Sequence, residues 1–170
     1  MNSEIETVRY GFAAGAAGGV AEIAWVTLYA AVTGGDPAIL ARGVTSAAGA
    51  SALLPGSPVI LGITLHMTLA IMVGLLLAFA WREFCERWPS LRSPYPFALV
   101  ALAGIWALNF FIVLPIVSPA FVHLVPYAIS LTSKLLFGIA AAMALQWQTA
   151  AKSDVRTQSI PTGARRTSHG

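Results

Sequence analysis

Glu22, His66, Asn109 and Lys134 each stand within a long apolar run. A carboxylate, an imidazole, a carboxamide and an ammonium in such surroundings can relay protons, hold an ion, or lock helices together by polar bonds. A lone charge near the middle of a bilayer is costly, by several kcal/mol or more, so each of the two charges calls for an opposite partner or for water. Glu22 and Lys134 are the natural couple, with His66 and Asn109 placed to supply the remaining hydrogen bonds. A second set, Tyr29, His123, Tyr127 and Ser130, is expected to form a polar approach to that centre from the periplasmic side, because His123, Tyr127, Ser130 and Lys134 fall on one face of a continuous helix.

These residues need long apolar elements to carry them. The chain of 170 residues is 57% hydrophobic and 10% charged, with a mean hydropathy of +0.75, too few charges to coat a water-soluble globule. The reading is an all-α polytopic membrane protein: a four-helix transmembrane domain over residues 1–150 with spans at about 8–32, 59–81, 97–117 and 121–147, and a disordered cytoplasmic tail over 151–170. Each span reaches the roughly 20 residues that cross a hydrocarbon layer. The first is read as retained and not as a signal peptide, because its apolar run is long and interrupted by Glu22.

Basic residues set the orientation. Arg9 precedes the first span, Arg82, Arg87 and Arg92 separate the second and third, and Lys152, Arg156, Arg165 and Arg166 follow the fourth, whereas Arg42 alone lies in the first loop. Cytoplasmic flanks collect Lys and Arg, so both termini are expected on the cytoplasmic side. The same asymmetry accounts for the net charge of +3 without a nucleic-acid partner. The expected partners are the lipid bilayer and other membrane subunits or further copies of the chain.

Local signals refine the elements. Ser57-Pro58 and Ser118-Pro119 read as helix starts, and Pro89 as the stop of the second helix, whose cytoplasmic extension sets Glu83 and Arg87 at i,i+4 spacing. Asp36-Pro37 starts a short interfacial helix in the first periplasmic loop, with Ile39, Leu40, Gly43, Val44 and Ala47 on one face and Arg42, Thr45 and Ser46 on the other. Gly11, Gly15 and Gly19 form a close-packing strip on the first span. Further strips run through Gly62, His66, Ala70 and Gly74, and through Ser130, Lys134, Gly138 and Ala142. Pro115 and Pro126 each remove a backbone hydrogen bond beside the third loop, and the freed carbonyls are candidates to line a small cavity.

Other chemistry finds little footing. No metal motif, nucleotide loop or dinucleotide fingerprint is present, and Cys85 has no cysteine partner. No cofactor is expected: His66 and His123 lie at different depths, which argues against a shared haem. Ser130 and Lys134, one turn apart, have the spacing of a serine-lysine dyad but no evident oxyanion donors, so no catalytic residue is assigned.

The glycine-rich first span, the histidine early in the second, and the turn Leu114-Pro115, Ser118-Pro119 leading into the run from Ser130 through Lys134 to Gly138 resemble small bacterial inner-membrane proteins of the YagU-like type, which have a longer first loop. The resemblance implies a cytoplasmic-membrane location and four to five helices, and carries no activity. Two uses of the polar centre follow from the residues. One is a non-enzymatic subunit or assembly partner whose polar core fixes helix pairing, and the other is a small proton- or ion-coupled transporter or channel, as a single copy or an oligomer.

Overall fold

The computed structural model describes residues 2–54, 56–88, 90 and 93–158, and these fold as helices joined by short turns, with no strand among them. In chain order they are α1 (Asn2–Thr33), α2 (Ala38–Ala47), α3 (Pro58–Arg87), α4 (Pro94–Leu108), a π turn (Asn109–Val113), α5 (Leu114–Val117), α6 (Pro119–Val122) and α7 (Tyr127–Gln158). Four stretches are long and apolar enough to cross a membrane: Glu4–Thr33, Pro58–Arg87, Pro94–Val117 and Tyr127–Trp147. Pro89, Arg92 and residues 159–170 of the expected tail lie outside the described residues.

The packing begins with small side chains. A Cβ at Gly74 would run into the backbone of Gly11 and Gly15, and one at Gly11 would sit 2.8 Å from Leu75 Cα, so α1 and α3 cross with their backbones in contact. Glycine at these positions removes the side chains that would otherwise hold the helices apart. On its other flank α1 meets α7, and α7 in turn packs on α4, where Gly138 faces the Ala98 carbonyl. α3 and α4 touch through rings at one end: Trp81 and Phe84 lie 5.4 and 5.2 Å from Phe97. Ala14, Leu77, Trp81, Ala98, Leu102, Phe137, Ala141 and Leu145 form the main core there, and Trp106, Phe110, Leu114 and Val122 a second one toward the opposite end.

Several elements differ from the sequence reading. The fourth span does not run from Phe121: Ser118-Pro119 starts only the single turn α6, the chain turns again, and α7 begins at Tyr127 after Pro126, whose carbonyl takes the Ser130 amide at 3.1 Å. Pro126 therefore initiates a helix, and its missing N–H costs no bond. Pro115 does disturb the third span: ahead of it the helix widens to a π turn, with the Leu114 amide bonded to the Asn109 carbonyl. A proline ring collides with the carbonyl four residues earlier, and the wider turn moves that carbonyl aside. α7 also continues to Gln158, through residues assigned to the tail. At the far end of α3, the i,i+4 ion pair joins Arg82 to Glu86 at 3.9 Å in place of Glu83 to Arg87.

α2 exists, but its faces are arranged otherwise than expected. Thr45, placed on the polar face, is 1% exposed, and its hydroxyl donates to the Pro58 carbonyl at 2.6 Å. The absence of a side chain at Gly62 admits the Ala41 carbonyl, so α2 lies across the start of α3. A small hydroxyl residue fits that crossing better than a leucine, and Ile39 stays outside at 45% exposure. Gly34 (φ +70°) and Gly49 (φ +65°) end α1 and α2 in the left-handed conformation that glycine adopts without penalty.

Candidate functional site

The approach of three helices creates the polar centre. One turn before Glu22, a Cβ at Gly18 would strike the Phe137 ring of α7 at 2.6 Å, and one at Gly19 would meet Ala70 and Met67 of α3 at 2.8 and 2.9 Å. Two adjacent glycines thus let α7 and α3 close onto α1 just below the carboxylate. Glu22 is 3% exposed, and both neighbours deliver a polar side chain to it.

Lys134 Nζ lies 2.6 Å from Glu22 Oε1 and 5.8 Å from the centre of the Phe137 ring. This is a charge-assisted bond within a low-dielectric interior, reinforced by the ring face below the ammonium. His66 Nε2 stands 3.5 Å from Glu22 Oε2, and the Ser133 hydroxyl is at the same distance from Oε1. Those two contacts are long. Glu22 Oε2 and His66 Nε2 accordingly have no hydrogen-bond partner among the described residues. The backbone carbonyl of Gly19 is a second acceptor beside the His66 ring. His66 and Lys134 keep 26% and 24% of their side-chain surface accessible, against 4% for Glu22.

Asn109 does not join this group. Its carboxamide makes no hydrogen bond among the described residues, and its carbonyl closes the π turn that ends α4. The expected periplasmic approach does not assemble either. His123 is exposed at the end of α6, and because the chain breaks at Pro126 it no longer shares a helical face with Lys134. Tyr127 turns to the third span, with its ring 5.9 Å from Phe110 and from Phe111. Ser130 is buried, accepts a bond from Trp106 Nε1 at 3.0 Å, and donates to the Tyr127 carbonyl at 3.0 Å. Tyr29 is half-buried near the α1 terminus, where its carbonyl receives the Thr33 hydroxyl at 2.9 Å.

Three contributors escaped the sequence reading. Ser133 is adjacent to Lys134, and that adjacency was the available signal. Trp25, one turn beyond Glu22, donates through Nε1 to the Ile129 carbonyl at 3.1 Å and ties α1 to the start of α7. Trp106 does the same work between α4 and Ser130. A tryptophan inside a span satisfies its N–H when buried, and near a polar residue it marks a helix contact. No cluster of three or more potential metal-ligating residues occurs among the described residues. Comparison with models of protein families, with curated proteins and with solved structures returned no match to this chain.

Proposed function

We propose that the chain is a non-enzymatic multi-pass protein of the bacterial inner membrane, with both termini cytoplasmic, acting as a subunit or assembly partner whose Glu22 centre fixes the pairing of its helices. The observation that carries this reading is the 2.6 Å contact of Lys134 with Glu22, which joins α1 to α7 from positions far apart in sequence. Breaking such a buried pair by removing one partner typically costs about 3–5 kcal/mol, because the other charge is left uncompensated. A mismatched helix arrangement incurs that same cost, so the pair selects one packing over its alternatives. The distribution of Arg9, Arg82 and Arg87 against Arg42 supports the orientation. The Ser130 hydroxyl is engaged by Trp106 and the Tyr127 carbonyl, which speaks against its use as a nucleophile.

Substitution of Glu22 by Gln tests the assignment. A pairing device loses stability or assembly, read as loss of the monodisperse species in mild detergent and of whatever co-purifies with it. A transporter or channel keeps its fold and loses flux in liposomes, and that result would replace the present reading.

A further inference from the structure

The Glu22 carboxylate is asymmetrically used. Oε1 takes the Lys134 ammonium and faces the Ser133 hydroxyl, whereas Oε2 faces only His66 Nε2, at 3.5 Å and without a hydrogen bond. Both polar groups that the imidazole meets, Glu22 Oε2 and the Gly19 carbonyl, are acceptors. A neutral imidazole has one N–H to offer, whereas the imidazolium has two. An imidazolium can therefore bond both acceptors, and a neutral imidazole only one. The charged groups facing the ring are Glu22 from α1 and Lys134 from α7.

Lys134 already sets its ammonium on Oε1, so the group with an unused nitrogen facing the carboxylate is His66, and imidazole is the side chain whose charge ordinarily changes between pH 5 and 8. Uptake then leaves one carboxylate shared between two cations, one on each oxygen.

We propose that the Glu22 centre is a binding site for one exchangeable proton, carried on His66, and that its uptake latches α3 to α1 through a new His66 Nε2–H bond to Glu22 Oε2. The proposal rests on the pairing reading given above and adds regulation to it: Lys134 is the permanent tie, and His66 is the conditional one. In the arrangement described here the latch is open, with the two atoms 3.5 Å apart. No bond other than that to the transferred proton is made or broken, and no co-reactant is needed. Acidification tightens the α1 and α3 contact, and neutral pH loosens it.

The test is thermal unfolding of the full chain in lipid nanodiscs from pH 8 to pH 5, in the wild type and in His66→Gln. The expected result is a wild-type Tm that rises between pH 8 and pH 5 and a His66→Gln Tm that lacks the rise. A wild-type Tm that falls on acidification, or that tracks His66→Gln throughout, overturns the proposal. Nitrogen NMR of histidine-labelled wild type keeps the test sound where the variant does not fold: an imidazolium at pH 5 that reverts at pH 8 supports the latch, and an imidazole that stays neutral at pH 5 refutes it. Lys134→Met separates the two readings, since a silent His66 together with collapse of Lys134→Met removes the latch and leaves the pairing assignment standing.

Discussion

The α1 and α3 crossing and the Trp106 end of the α4 and α7 contact are both helix pairings inside an apolar protein, yet they are built from opposite materials. At the first, Gly11, Gly15 and Gly74 bring backbone against backbone. At the second, Trp106 spans the gap with its indole, bonding Ser130 and stacking 5.5 Å from Phe110. Small residues make a close crossing with little room to yield, whereas large rings fill a wider one whose contacts can be rearranged. The costly charge sits beside the close crossing, where Gly18 and Gly19 let two neighbouring helices reach Glu22. The π turn and Pro115 sit beside the wider one, where a local change of helix geometry is absorbed.

The contrast predicts its own largest effect. Gly74→Leu places a side chain onto the Gly15 backbone, which cannot move without parting α1 from α3. Overpacking of a tight interior costs about 1–3 kcal/mol where side chains alone must shift, and backbone contact sets this case at or above the upper end. Loss of folded protein in a detergent-exchange stability assay is the expected outcome. A Gly104→Leu control meets no atom within 4 Å of the new Cβ and is expected to leave stability nearly unchanged.

Next comes the charge itself. Lys134→Met leaves Glu22 buried with no ammonium and is expected to destabilise by about 3–5 kcal/mol, with much of the loss recovered by adding Glu22→Gln, since replacing both partners removes the uncompensated charge. The cycle of single and double variants measures the coupling directly. A double variant no better than Lys134→Met alone would mean that the carboxylate is not what the lysine serves.

On the wider side, Trp106→Phe keeps a phenyl ring but loses the pyrrole half of the indole with its N–H, so it removes the bond to Ser130 and leaves a small cavity, at a combined cost of about 2 kcal/mol. The expected signature is faster hydrogen exchange around Ser130 and the α7 start, with a smaller change in global unfolding than Lys134→Met. A global loss as large as that of Lys134→Met would abolish the distinction drawn between the two contacts.

How far each region could be read from sequence follows from the same physics. Span length, the isolated charges and the glycine spacings are properties of single helices, and they pointed to the four long apolar stretches and to Glu22 beside Lys134. The burial of Thr45, the turn of Tyr127 toward Phe110, and the isolation of Asn109 depend on what the neighbouring helix presents, which no single-helix periodicity contains. His123 shares a face with Lys134 only if one helix runs through Pro126, and the break there removes the alignment.

The smallest effect is expected at α2, away from both contacts. The hydrogen bond from Arg42, and after it that from the Ala38 amide, hold the Asp36 carboxyl below its ordinary value of 3.8. A depressed folded value means that the stabilisation is fully present above the unfolded value and is lost as pH falls through the lower, folded one. Acidification through that range should therefore speed exchange of the Ala38 amide, which is bonded to Asp36 Oδ1 at 2.9 Å. Because Asp36 is exposed, Asp36→Asn is expected to fray only the first turn of α2, with Thr45 still bonded to the Pro58 carbonyl. Thr45→Val, by contrast, leaves that crossing without its hydroxyl, and protection along α2 should drop as a unit. Should Asp36→Asn release the whole helix and Thr45→Val spare it, α2 would be held by its exposed ion pair and not by its seat on Gly62.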